Sequence, residues 1–436
     1  MLRIFQNKDL TPDSRAKLML RESAEDPEGF EIARGIVERV EREGLGAVRE
    51  LTLKFDGCDL QDFAVSRAEF DAAEGQLTAA ERDAFERAAR NIRDFHTLQK
   101  DSLTNQETEI DGAALGFRYV PMDGAGVYVP GGKALYPSSV LMGVTPAVIA
   151  GVPEPLVITP PDENGQIHPA VLFCAKLAGT TRILKAGGAQ AVAAAALGLV
   201  FPPVHFIAGP GNRFVTAAKQ ILASRGKIGL DSPAGPSEVI VIADESARAD
   251  FVASDLLSQA EHGADSPAIL LTDSRELAEA TAREVERGIA ERPDRADMKS
   301  TSIRDHSYAV VFDTLEDAFV FSNEYGPEHL EICTRDPRAD LEKITSAGSI
   351  FLGHFAPVAL GDYYSGTNHV LPTGGAARAY SGLGVDTFMK RLTYQHPTRE
   401  SLRNALDPIM LMSKIEGLEH EHGHSVAVRF EDETTR

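Results

Sequence analysis

Cysteine is scarce here, and basic charge is outweighed. The three cysteines among 436 residues, Cys58, Cys174 and Cys333, lie far apart with no CxxC spacing and in apolar surroundings. That pattern suits buried thiols in a reducing compartment and assigns none of them as a nucleophile. Lys and Arg total 44 against 65 Asp and Glu, a net charge of −21. Such a surface repels phosphate backbones and anionic lipid heads, so small molecules are the expected partners and neither nucleic acid nor membrane is. Long apolar runs are also missing. The opening MLRIFQNKDLTPDSR has no signal-peptide core, and the alanine-rich run from Ala191 to Phe201 stops at Pro202-Pro203, too short to cross a bilayer. A cytoplasmic location is expected. No GxGxxG fingerprint with a trailing acidic residue occurs, so a standard dinucleotide motif is absent.

What is present is a globular composition, 43% hydrophobic and 25% charged, long enough for two or more cores. From Pro12 to about Gln99, apolar residues recur every three and four positions between charges, which predicts a helical N-terminal arm over 1–110. Beyond it, VYVP, PLVITPP, RILKAGG and VHFIAGPG read as strands that alternate with helices, a Rossmann-like domain over 111–238. A second series begins at Val239 with VIVIADE, AILLT, YAVVF, HLEICT and SIFLG, giving another over 239–380, and 381–436 is left as a small C-terminal domain. The fold class is therefore α/β, with two doubly wound domains facing one another across a cleft. Proteins of this build hold ligands at the carboxyl ends of strands. Four glycine-rich loops flank predicted strands: Tyr128 to Lys133, Gly187 to Gln190, Gly209 to Asn212 and Gly235 to Ser237. One such loop is only a tight turn; four on successive units favour a nucleotide or phosphate ligand.

Chemistry-bearing residues gather in the second half. In the helix-like segment Asp250–Pro267, Gln259 and His262 lie three apart on one face, where an oxygen and an imidazole nitrogen can converge on a cation; the plainer reading is a solvated helix end. Glu328-His329 opens a predicted strand. Asp362, Asn368 and His369 stand in an irregular segment too polar for a core. In the tail, His420, His422 and His424 alternate, so a strand would put all three on one side, and SVAVRF reads as that strand.

Taken in order, VYVPGG, YPSSVLM, GGAQA, GPGN, PAGPSEV, ASDLLSQAEHG, EYGPEHL, AGSIFLG, GDYYSGTNHVLPT and the tail HxxSVxxR resemble the histidinol dehydrogenase family from about Gly35 onward. The resemblance implies oxidation of L-histidinol through the aldehyde to L-histidine with two NAD molecules, one Zn2+ per subunit, and a homodimer whose last metal ligand comes from the partner subunit. It implies Gln259, His262, Asp362 and His422 as zinc ligands, which also touch substrate, and Glu328 and His329 as the acid/base pair. Tyr128, Gln190 and Asn212 match NAD contacts; Ser237, His329, His369 and Glu416 match substrate contacts. The tail carries one residue more between Glu416 and the last ligand than the family pattern does. Alignment on SVAVRF selects His422, with His420 and Glu421 as alternatives, and manganese would suit the oxygen donors as well as zinc. Two other readings compete: a relative oxidising another polar alcohol such as a sulfonated diol, and a zinc hydrolase using an activated water.

Overall fold

The computed structural model describes residues 1–21, 26–131, 135–232 and 235–433, with side chains through Phe430. Lys133 of the first glycine loop and Pro233-Ala234 of PAGPSEV lie outside the described residues. The chain forms two compact units, one from Met1–Lys100 with Met122–Phe388, the other from Asp101–Pro121 with Met389 onward.

The first unit contains two parallel sheets. In the five-stranded sheet the order is Ile183–Lys185, Leu156–Thr159, Gly126–Tyr128, Phe206–Ala208, Gly229–Leu230. Numbered by sequence that is 3-2-1-4-5, so the chain reverses its direction of winding between Gly126–Tyr128 and Phe206–Ala208. These strands are almost wholly buried because both faces are covered, which is why they read as continuous apolar runs. Tyr128, Ile158 and Leu184 face one helical layer, while Val127, Val157 and Ile183 face the other.

The second sheet has six parallel strands, in the order Arg3–Gln6, Tyr308–Val311, Ala268–Thr272, Val239–Ala243, His329–Cys333, Ser349–Leu352. Val239, Val241 and Leu270 pack under the helix Ala249–Ala260; Ile240, Ile242 and Leu330 pack toward Leu315–Tyr325. The two doubly wound α/β halves expected from the sequence are present.

The expected boundaries run differently from the compact units. The N-terminal segment is no separate arm. Its helix Pro27–Glu43 packs on helices Gly188–Leu197 and Arg213–Ser224 of the first half, and Arg3–Gln6 adds an edge strand to the second sheet. A boundary at 110/111 would cut a hairpin. Strands Gln106–Ile110 and Ala113–Pro121 are joined by Asp111 (φ 50°) and Gly112 (φ 73°), a two-residue turn with both angles left-handed. With Met389–Pro397 they form the antiparallel sheet of the second unit.

The tail corrects another expectation. SVAVRF is helical: a π-helical turn over Glu419–Gly423 leads into the helix His424–Ala427 and a 3-10 turn over Val428–Glu433. Val426, Ala427 and Phe430 supply its inward face at one-turn spacing, and Arg399 and Arg403 lie over the Phe430 ring. Alternation over six residues satisfied both periods, and burial chose the helical one. His420, His422 and His424 therefore do not share one side of a strand.

Candidate functional site

The carboxyl ends of the five-stranded sheet hold the first group of expected residues. Tyr128 ends the central strand, and its hydroxyl accepts the Gly188 N–H at 3.0 Å. Burial pushes the Tyr128 phenol up to about 12, so it stays a neutral donor and acceptor at neutral pH. Gln190, in the first turn of helix Gly188–Leu197, is buried with neither amide atom hydrogen-bonded. Asn212 caps the helix Arg213–Ser224, its side-chain oxygen accepting from Phe214 and Val215 N–H at 3.0 and 3.1 Å. Between these loops sits Gly209 at φ 104°; a Cβ there would lie 2.2 Å from the Tyr128 carbonyl oxygen. Only glycine lets the two loops approach so closely. The buried pair Lys219–Asp231, at 2.6 Å, pins that glycine by bonding its carbonyl and its N–H.

The second group does not follow the carboxyl-end rule. Glu328 and His329 begin the strand His329–Cys333, and Ser237 precedes the neighbouring strand Val239–Ala243, so they stand at the amino ends of the six-stranded sheet. Helix Ala249–Ala260 runs back across the sheet and delivers Gln259 and His262 to the same edge; helix Val358–Tyr363 brings Asp362. At the opposite, carboxyl edge the winding-reversal point is occupied by Asp244, whose carboxylate accepts from Arg335 and Ser246 N–H at 3.0 and 2.9 Å.

The amino-end cluster is organised by the main chain of Glu238. Its N–H donates to the Glu328 carboxyl at 2.9 Å, and its carbonyl oxygen lies 3.1 Å from His329 Nδ1. The Glu238 side chain is itself held by Arg21, at 2.8 Å, and by the Tyr325 hydroxyl, at 3.2 Å. Because a carbonyl can only accept, His329 Nδ1 carries the proton and Nε2 is the bare nitrogen. Nε2 has no hydrogen-bond partner and lies 3.9 Å from Asp362 Oδ1. Burial depresses the imidazole to about 3, keeping it neutral over the physiological range.

Glu328 is buried, and the loss of water holds its carboxyl well above the usual range, against the lowering effects of the Glu238 N–H and, least, of Ser237. Burial raises Asp362 to about 6. His262 keeps an exposed edge, yet the protein around its ring lowers its pKa and it lies within electrostatic reach of His329 and His369.

His369 ties this cluster to the first half. Its Nδ1–H donates to the Asp362 carbonyl at 3.0 Å, leaving Nε2 to accept from the Ser139 hydroxyl at 3.2 Å on helix Pro137–Ala150. Asn368 beside it donates to the Met142 carbonyl at 2.7 Å. Glu416 and His422 belong to the second unit, Glu416 closing the helix Leu406–Ile415 and His422 lying in the π-helical turn.

The donors present suit a divalent ion. Gln259 is buried with both side-chain polar atoms unpartnered, an arrangement that costs free energy unless something else bonds them. His262 and Asp362 supply a nitrogen and an oxygen donor of zinc type. Among the described residues no three His, Cys, Asp or Glu side chains form a finished metal site. The expected set would not produce one, since the first unit contributes only two donors of those types and Gln259 is the third ligand. Sequence reasoning missed Glu238, whose only signal was its place beside Ser237 in PSEV.

A family model described as histidinol dehydrogenase matches residues 19–430. The histidinol dehydrogenase of Leptospira interrogans is 49% identical over 400 residues, covering 91% of this chain and 92% of that one. This chain belongs to the histidinol dehydrogenase family. The histidinol dehydrogenase of Methanothermobacter thermautotrophicus is 45% identical over 91% of the chain and 92% of its own length. The crystal structure of histidinol dehydrogenase from Elizabethkingia anophelis superposes with a TM-score of 0.93 at 40% identity, covering 99% of both chains. The chain is thus an oxidoreductase of the histidinol dehydrogenase type, and these relatives give the sulfonated-diol and hydrolase readings no support.

Proposed function

We propose that this protein oxidises L-histidinol in two steps through L-histidinaldehyde to L-histidine, with NAD on the carboxyl-end loops of the first half and one zinc per subunit at the amino-end cluster of the second. The observation that carries the reading is His329: a neutral imidazole with Nδ1 fixed by a carbonyl and a bare, unpartnered Nε2 beside Asp362. Bound zinc would supply a fixed electrostatic seat for the substrate's imidazole and amine, and bound NAD a hydride acceptor. Gln259, His262 and Asp362 would hold the metal, with His422 of a partner subunit in a homodimer as the fourth ligand.

The residues of the chain then divide the proton work. His329 Nε2 takes the hydroxyl proton as the alcohol carbon is oxidised, and its Nδ1–H bond to Glu238 stabilises the imidazolium that forms. Glu328, raised by burial, is a strong base once ionised and takes a proton from the water that adds to the aldehyde. Ser237, near Glu328, and His369, bonded to Ser139, line the substrate side, with Glu416 as a further substrate contact. Tyr128, Gln190 and Asn212 serve the nucleotide; the unpartnered Gln190 amide offers both a donor and an acceptor.

The test is direct. Purified protein supplied with zinc, NAD and L-histidinol should form two NADH per histidinol consumed, and no NADH under those conditions would refute the reading.

A further inference from the structure

Glu331 is a carboxylic acid in the middle of a parallel strand. His329–Cys333 is buried throughout and paired on both sides, with Glu331 opposite Val241 and Phe351, and Glu331 is 1% exposed. An unpaired charge in such a place is heavily disfavoured, and a leucine would fill the volume without that penalty. The polar group therefore calls for a reason other than packing.

Its contacts supply one. Glu331 Oε1 accepts the Val358 N–H at 3.0 Å. The remaining oxygen is buried with no hydrogen-bond partner of its own, and the group that acts on Glu331 most strongly after burial is the Asp255 carboxyl, with no cation among the described residues acting on either acid. Burial and then Asp255 hold Glu331 well above the carboxylate range, whereas burial alone raises Asp255 to about 6 and Glu331 acts to lower it, the pattern of a protonated Glu331 facing an Asp255 carboxylate.

Each of these partners sits one step behind a residue of the proposed site. Glu331 is two positions from His329 on the same face of the sheet. Asp255 is one helical turn before Gln259 on helix Ala249–Ala260, which ends two residues before His262. Val358 opens the short helix whose other end carries Asp362. A single carboxyl thus joins the three elements that bring base and metal donors together.

We propose that Glu331 and Asp255 are positioning residues for the oxidation site, their acid pair setting the spacing between His329, the Gln259–His262 helix end and Asp362. This rests on the reading of those residues given above. The experiment compares the full-length protein with its Glu331→Leu, Glu331→Gln and Asp255→Ala variants, measuring zinc affinity by chelator competition, kcat and KM separately, and Tm. Glu331→Leu should lose about 10- to 100-fold in zinc affinity and lose kcat. Glu331→Gln should recover most of both, since its amide can still accept from Val358 and donate to Asp255. Asp255→Ala, at a half-buried helix position, should lose zinc affinity with little change in Tm, which keeps the test sound should the Leu variant not fold. Wild-type zinc affinity in Glu331→Leu and Asp255→Ala, or a Glu331→Gln variant as poor as Leu, would overturn the proposal. Failure of the unsubstituted protein to bind zinc would instead overturn the reading of the site beneath it.

Discussion

The role proposed for His329 rests on one backbone contact and on burial. The Glu238 carbonyl fixes the tautomer, burial keeps the ring neutral, and the unpartnered Nε2 lies 3.9 Å from Asp362 Oδ1. Replacement by Asn keeps a side chain able to donate to that carbonyl but removes the base. We expect His329→Asn to lower kcat for histidinol oxidation by about 10²- to 10⁴-fold with zinc content unchanged; a loss of zinc in step with activity would show that the residue is structural. Glu328→Gln should spare the first oxidation more than the second, so that NADH formed per histidinol consumed drops from two toward one. Equal slowing of both halves would count against the separate water-activating role.

His369 gives a pH prediction at the same scale. Burial lowers it to about 4, whereas an unfolded histidine titrates near 6.5. Between those values the unfolded chain takes up a proton that the folded chain refuses, so the contribution is complete above about 6.5 and is lost as pH falls toward 4. Asp362, raised by burial, acts in the opposite sense, its contribution fading as pH rises through about 6. A comparison of variants isolates the histidine. Metal-free His369→Gln should show a shallower fall of Tm between pH 6.5 and 4 than the unsubstituted protein, and parallel curves would contradict the assignment.

At the level of elements, the loops after Gly126–Tyr128 and Phe206–Ala208 meet at Gly209. Gly209→Ala forces a β-carbon toward the Tyr128 carbonyl at a left-handed φ, so we expect at least about 2 kcal/mol of lost stability and a larger rise in KM for NAD than for histidinol. Thermal melts and saturation kinetics check both. The parallel strands were legible in the sequence because burial on two faces leaves continuous apolar runs such as VIVIA and AILLT. The antiparallel strands of the second unit were not: QETEI is exposed along its whole length and Met389–Pro397 on nearly all of it, which leaves no hydrophobic alternation to read. Only the Asp111-Gly112 turn marked the hairpin. SVAVRF misled because its alternation fits a strand while its i, i+4 spacing fits the helix that forms.

Across the whole molecule, two halves of the same winding hold the proposed site in different ways. The first presents its loops at the carboxyl ends of its strands, as the rule for doubly wound sheets anticipates. In the second, Asp244 fills that edge and the reactive residues gather at the other. Spacing along the chain could place Gln259 and His262 together. It could not bring in Asp362, about a hundred residues on, or reveal that Glu238 anchors Glu328 and His329, because those are long-range pairings set by the sheet register. The residue resemblance implied Asp362 where periodicity had nothing to say, and Glu238 emerged only from the structure.

Anomalous diffraction at the zinc absorption edge, on crystals grown with zinc, addresses the central claim most directly. The account predicts one strong peak per subunit at about 2.0–2.2 Å from a His262 ring nitrogen and an Asp362 carboxylate oxygen, with Gln259 among its ligands. A peak bound elsewhere, or none beside those residues in a protein that oxidises histidinol, would contradict it.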